Sequence, residues 1–336
     1  MLRFIIRRLL IMVPTVLIII TLTWGLIRLA PGNFYSTEKN IPAAIVKNIR
    51  AKYGLDQPWY VQYGRVMVRL FGFQYVPVKD KNGQDVVGSN GQLVMKYEWH
   101  PYPDFGDSLK FEGKSVNQII RETLPISATL GLLAYLLALI VGLTAGTLAA
   151  LRQNSKLDYA SMALAMLGIS IPNFVLGPLL VLIFSLTLYW LPPARWGGFP
   201  SWSLLMPVLT LSALYMAYIA RLTRSGMLEV LRADYVRTAR AKGLSERQVV
   251  LRHVMRGGLL PVISFSGPAL AYLIVGTVVV EQIFALPGLG NYFLNANFNR
   301  DEPVIIGIVA FLSIAILVFN LLVDIAYALI DPRIRY

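Results

Sequence analysis

Six apolar stretches, each long enough to cross a bilayer as a helix, constrain this chain more than anything else in it. A hydrocarbon core about 30 Å thick takes about 20 residues of helix. Leu9–Leu29, Ile126–Ala150, Tyr159–Trp190, Trp202–Ala220, Leu259–Val280 and Val304–Ile330 all qualify. Composition agrees, with 56% apolar and 15% charged residues, where soluble domains carry about 25% charged. Disorder is excluded, because it needs low hydrophobicity. The absence of cysteine excludes disulfides, thiolate-bound zinc, iron–sulfur ligation and a thiol nucleophile. Two histidines leave little for a metal site, and none is expected. The expected fold is an all-α polytopic membrane protein with six transmembrane helices.

The first stretch follows Arg3, Arg7 and Arg8 as a signal peptide would, but it is too long and no small-residue cleavage site follows. It reads as an uncleaved first span. The third stretch is interrupted by Ser170, Pro172, Asn173 and Pro178, so it should be kinked or broken where protein or a cavity covers the freed backbone. Orientation follows from Lys and Arg in the short loops. With both termini cytoplasmic, the cytoplasmic segments hold sixteen Lys and Arg, against Arg195 and Arg300 in the two short outer loops. The net charge of +13 is then mostly a basic inner face suited to anionic lipid and an inner partner. Nucleic acid is not required.

Three regions emerge. Residues 1–30 are the cytoplasmic start and first span, residues 31–124 a small α+β outer (periplasmic) domain, and residues 125–336 a five-helix core. In the outer domain Ala43–Tyr53 and Pro58–Phe71 have helical spacing, with Pro58 at a first helical position. Asn82-Gly83 and Asn90-Gly91 then mark hairpins, predicting a three-stranded meander within about residues 74–102. Its Tyr75, Tyr97, Trp99 and Tyr102 form either a docking surface or, more plainly, the packing of a small sheet. His100 alone is not a ligand set.

The segment 223–258 says most about function. Ser225 to Lys242 reads as one helix, Gly243 stands where a helix ends, and Ser245 with Gln248 forms a capping box opening a second helix that ends at Gly257-Gly258. Three readings compete for this basic helical hairpin. A DNA-reading helix-turn-helix lacks room for a third helix; a passive lipid-attracted loop explains the charge; a docking lever would carry motion into the flanking spans.

Tyr235-Val-Arg-Thr-Ala239-Arg-Ala-Lys-Gly243-Leu resembles the cytoplasmic loop of ABC importer permeases of the dipeptide/oligopeptide branch. That loop reads Glu-Ala-Ala, three residues, then Gly; here Arg237-Thr238-Ala239 fill the first places and the Glu is missing, as is usual in the branch. Further matches are Arg28-Leu-Ala-Pro31-Gly32, Gln153-Asn154 with Asp158, Glu281-Gln-Ile-Phe-Ala-Leu-Pro287-Gly-Leu-Gly290, Asn320-Leu-Leu-Val-Asp324-Ile-Ala-Tyr327 and Asp331-Pro-Arg-Ile-Arg335. The resemblance covers almost the whole chain and is closest to the B-type transmembrane subunit of oligopeptide importers. The meander departs from it.

This resemblance implies a bacterial inner-membrane permease that forms half of a heterodimeric peptide pathway working by alternating access. It implies a second permease, two cytoplasmic ABC ATPases that bind the ATP and Mg, and an extracytoplasmic peptide-binding protein. The chain itself has no Gly-x-x-x-x-Gly-Lys-Ser/Thr loop, so it is not expected to be an enzyme or to hold a cofactor. By family likeness Arg237, Thr238, Ala239, Arg240, Lys242, Gly243 and Leu244 dock into an ATPase groove: Gly243 makes the turn, Ala239 the close contact, and Arg237, Arg240 and Lys242 the charge pairing.

Polar residues within spans are functional candidates because burial in lipid is costly. Ser170, Asn173 and Glu281 are candidates for the pathway or its gate. Against that stand backbone satisfaction at a proline kink for the first two and a salt bridge to the partner permease for Glu281. Asn320, Asp324 and Tyr327 share one helix face and suit packing, Arg28 is expected to snorkel to the outer headgroups, and Gly142 and Gly146 suit close helix contact. Nickel-chelate and antimicrobial-peptide permeases share the family pattern. From other classes, a hydrolase lacks its motifs, and an ion channel would show a pore loop or charge ring.

Overall fold

The computed structural model describes residues 2–30, 54–78, 80, 86, 94–111, 113–193, 195–198, 201–275 and 278–330. The expected helix Ala43–Tyr53 and both hairpin dipeptides lie outside them. The protein is mostly helical. Helix α1 is Leu2–Leu29, α2 Trp59–Leu70, α3 Val116–Leu151, α4 Lys156–Ser170 and α5 Asn173–Leu180, which continues as a π-helix Val181–Thr187. A 3-10 turn Trp202–Leu204 leads into α6 Leu205–Leu231, and α7 is Asp234–Ala241. Helix α8, Glu246–Val249, runs through a π turn Val250–Val254 into α9, Met255–Gly258. Then come α10 Leu260–Val275, α11 Val278–Ile283, α12 Leu289–Asn299 and α13 Glu302–Ile330.

Among the described residues five helices are long and apolar enough to span a membrane, or six if the bent pair α4–α5 counts as one span. That pair turns through 103° at Ile171-Pro172. Pro172 is the cause: it pushes the preceding residue out of the helical region, and Ile171 is extended, with φ −91° and ψ 112°. The interruption read from the sequence is therefore a sharp corner.

The chain forms two compact units. One takes the start of α1, residues 123–291 and the end of α13. Its core joins Leu130, Ala134 and Ala138 of α3 to Met206, Leu211 and Ile219 of α6 and to Leu273 of α10. Small residues set the spacing. A Cβ on Gly142 would lie 2.8 Å from the Ile219 side chain, and one on Gly146 would lie 2.5 Å from the Ala220 carbonyl. Close backbone approach is the means by which spans associate without a hydrophobic drive, so the Gly-x-x-x-Gly patch of α3 is its seam with α6. The stripe on α13 packs too: the Tyr327 hydroxyl donates to the Leu260 carbonyl at 2.9 Å, and Asp324 pairs with Arg8 at 2.7 Å.

The other unit takes residues 13–122 and 292–311. Here β1, Phe73–Pro77, pairs antiparallel with β2, Met95–Trp99, in the register Phe73↔Trp99 to Pro77↔Met95. Val86 bonds both Val78 and Val94; the rest of the expected third strand lies outside the described residues. Three expectations differ from the structure. Tyr97, Trp99 and Tyr102 are each more than half exposed, so these aromatics do not pack the sheet. Arg28 does not reach for headgroups: it pairs with Glu302 at 3.2 Å, bonds Gln62 and lies 5.0 Å from the centre of the Trp24 ring. A carboxylate offered at the same depth is a better partner than one reached by stretching outwards. Pro58 caps α2 rather than opening it.

Gly146→Val should force α3 from α6 at a backbone contact, costing at the upper end of the about 1–3 kcal/mol typical of overpacking. Gly25→Ala, with nothing within 4 Å of the added carbon, should be neutral. Melting of the two purified variants in detergent checks the contrast.

Candidate partner-docking site

The hairpin 223–258 is built on burial at its base and exposure at its tip. Helix α6 ends at Leu231, and Ala233 is extended, with φ −70° and ψ 146°, before α7 begins with Asp234 in its first turn. An acidic residue there suits the positive end of the helix dipole. The single helix expected from Ser225 to Lys242 is therefore two. The break turns Val236 and Ala239 of α7 into one buried cluster with Met227 of α6, Val249, Val250 and Val254 of the second arm, and Ala150 of α3. A continuous helix would have carried Val236 and Ala239 away from it.

Helix α7 closes as a Schellman motif: the Gly243 N–H donates to Arg240 O at 2.9 Å and the Leu244 N–H to Ala239 O at 3.4 Å. The left-handed position this motif requires is Gly243, with φ +78°. A Cβ there would meet nothing within 4 Å, so the demand for glycine is conformational. The Ser245–Gln248 capping box forms as expected. At the base the arms cross glycine on glycine, since a Cβ on Gly226 would strike the Gly258 carbonyl.

The residues expected to meet a partner sort into three groups. Arg237, Thr238, Lys242 and Gly243 are exposed. Arg240 is exposed but engaged, its guanidinium donating to both Glu246 oxygens at 2.8 and 3.3 Å. Ala239 is only 4% exposed and Leu244 packs against the same cluster. The geometry therefore corrects the close contact assigned to Ala239: its methyl holds the hairpin together, and Tyr235, half exposed, takes a place on the outer face that motif spacing did not assign.

Sequence reasoning missed Arg224. It donates from Nε and Nη2 to the two oxygens of Asp158 at 2.6 and 2.8 Å, and Asp158 also accepts from the Asn154 N–H at 2.9 Å. The Asp158 side chain is 2% exposed and Arg224 27%. This bidentate pair ties the start of α4 to α6 two turns before α6 ends at Leu231. The signal was available: a carboxylate at the edge of a span needs a cation, and Arg224 is one of the few on the neighbouring apolar helix.

Glu281 is fully buried. It accepts from Ser127 Oγ at 2.8 Å and from the Asn291 N–H at 3.0 Å, while the Leu289 N–H donates to the same Ser127 hydroxyl. Gly288 and Gly290 leave the room, since a Cβ on either would lie within 3.0 Å of the carboxylate. Its partners come from its own chain, in place of the salt bridge to another subunit considered from sequence. Ser170 and Asn173 flank the α4–α5 corner; Ser170 is exposed and Asn173 half-buried. Helix α5, which starts at Asn173, packs against α11, which carries Glu281, with Gly177 close to the Ile283 side chain. Among the described residues no group of three His, Asp or Glu is placed to hold a metal.

Residues 142–336 match the family model described as binding-protein-dependent transport system inner membrane component, and residues 1–131 match the N-terminal model of the same systems. The chain is similar to the oligopeptide transport system permease protein OppB of Haemophilus influenzae, 42% identical over all of both chains. It is also similar to the dipeptide transport system permease protein DppB of Bacillus subtilis, 40% identical over 100% of this chain and 98% of that one. Among solved structures, the inward-facing MetNI methionine ABC transporter aligns with a TM-score of 0.51 at 15% identity, covering 63% of this chain and 96% of that one. That likeness speaks for the fold.

Removing one partner of a buried ion pair costs more than removing both. Arg224→Gln alone should destabilise the protein by about 2 kcal/mol, discounted for the part-exposed arginine, and adding Asp158→Asn should recover part of the loss. A double-mutant cycle of melting in detergent checks the coupling.

Proposed function

Because the chain belongs to the family of binding-protein-dependent transport system inner membrane components, we propose that it is the transmembrane permease subunit of an ATP-driven peptide importer. The full-length match to oligopeptide and dipeptide permeases supports peptide as the substrate class. The observation that carries the mechanism is the hairpin: an exposed, basic tip on a base buried against α3 and α6.

The termini and the hairpin face the cytoplasm of a bacterial inner membrane, in keeping with the excess of Lys and Arg there, and residues 31–124 face outwards. Arg237, Thr238, Lys242 and Gly243, with Tyr235, enter a groove on one of two ATPase subunits that bind ATP and Mg. A second permease completes the pathway, and an extracytoplasmic binding protein delivers the peptide. ATP-driven closure of the ATPases pulls on α7. Val236 and Ala239 transmit the pull into the cluster shared with Met227 and Ala150, Gly226 against Gly258 keeps the two arms from sliding, and the Asp158–Arg224 pair draws α4 along. Spans α3, α4, α6 and α10 move as one, which is what alternating access requires. The α4–α5 corner, with Ser170 and Asn173, suits a broken helix lining a cavity, and Glu281 fixes the loop after α11 rather than contacting peptide.

Gly243→Val puts a β-branched residue at a left-handed position, a conformation such residues avoid. It should abolish transport-coupled ATPase activity while the permease still inserts; normal coupling would remove the lever. Purification from the native membrane in mild detergent should bring down a second permease and two ATPases. Recovery of the chain alone or as a homo-oligomer, with ATPases present in the same membranes, would favour a channel.

A further inference from the structure

Helix α2, Trp59–Leu70, has three faces rather than two. Tyr63, Val66, Met67 and Leu70 pack on the cluster formed by Ile20 and Trp24 of α1 with Ile306 and Ala310 of α13. Gln62 and Arg69 are polar and held by their own unit: Gln62 Nε2 donates to the Leu55 and Gln57 carbonyls at 3.2 and 2.6 Å, and Arg69 lies 3.8 Å from Asp104. The third face is the stripe Tyr60, Gly64, Val68 and Phe71, at the three- and four-residue spacing of one helix side. Tyr60, Val68 and Phe71 are 61%, 37% and 54% exposed, and Trp59 beside them is 66% exposed. A Cβ built on Gly64 would meet nothing within 4 Å.

The contacts of α2 fix its depth. The Tyr63 hydroxyl lies 2.7 Å from Thr21 Oγ1, and Trp24 stacks edge-on with Tyr63 at 5.3 Å and lies tilted on Trp59 at 6.5 Å. At 1.5 Å per residue, Thr21 and Trp24 sit ~12 Å and ~7 Å inside the Leu29 end of α1. On the other spanning helix, Ile306 sits ~6 Å inside the Glu302 end. The Arg28–Glu302 pair marks those two ends as level. Helix α2 therefore crosses the ends of two spans below their last turn, at the depth where amphipathic helices lie in a bilayer.

We infer that α2 is an interfacial helix, bedded in the headgroup–acyl boundary with the Tyr60–Gly64–Val68–Phe71 stripe against lipid. The occupant is lipid because the open face is apolar at a depth where the surrounding medium is the bilayer. The stripe begins with Tyr60 and the helix with the exposed Trp59, residue types that anchor proteins at that boundary. Helix α1 is open to the same medium through Ile18, Leu22, Leu26 and Leu29, all more than half exposed. Gln62 and Arg69 are instead held by loop residues of the unit, the Leu55 and Gln57 carbonyls and Asp104. In this position α2 fixes the height of the segment between the first two spans relative to the membrane.

The chain has no cysteine, so spin labels can be placed singly. Gly64→Cys and Val68→Cys, with Glu98→Cys as a water-exposed reference, would be labelled in the intact complex reconstituted in liposomes. Collisions with oxygen and with a water-soluble nickel chelate would then be compared. The inference expects labels at 64 and 68 to be open to oxygen and at least several-fold less open to nickel than the label at 98. Equal nickel access at all three sites would put the stripe in water. Low access to both reagents at 64 and 68 would put a protein partner on it. Either result overturns the assignment, and Val68→Cys reads the same stripe should Gly64→Cys fail to assemble.

Discussion

The buried base of the hairpin is the contact on which the rest of the account depends. Val236 and Ala239 sit with Met227, Ala150, Val249 and Val254 in a single apolar cluster, and Gly226 lets the second arm press its backbone against α6. Burial of that apolar surface is what makes a short basic segment rigid; α7 alone has eight residues, too few to be stable as an isolated helix. A rigid tip on a shared base transmits force, whereas an independently folded loop would absorb it.

A second constraint is the cost of polar groups at membrane depth. Asp158, Glu281 and Asp324 all lie in or beside apolar helices, and each has its partner within its own compact unit: Arg224, Ser127 with a loop N–H, and Arg8. Arg28 follows the same rule with Glu302. These groups hold loops and helix ends at fixed heights. Ser170, at the α4–α5 corner, is exposed instead.

Much of this was legible in the sequence. The span positions follow from length and hydropathy, the corner from Pro172, and the end of α7 from Gly243, because each depends on local backbone chemistry. The capping box at Ser245 was readable for the same reason. What local reasoning missed is tertiary. Nothing in the periodicity of residues 225–242 announces a break at Ala233, since the turn is fixed by the cluster that Val236 and Ala239 enter. Motif spacing put Ala239 on the docking face, where burial places it inside. Arg224 is one of eight Lys and Arg in residues 223–258, and only the fold sets it against Asp158; the packed face of α2 needs Trp24 and Ile306, which lie far away in the chain.

Cross-linking from the exposed face of α7 reports whether the hairpin tip meets an ATPase. Thr238→Cys in this cysteine-free chain, paired with single cysteines in the groove of the co-purifying ATPase, should give a disulfide cross-link in membranes. That cross-link is expected in high yield, with none from Ala239→Cys, a position buried in the hairpin base. A cross-link from Thr238 to lipid-facing positions of another membrane subunit, with none to the ATPase, would contradict it.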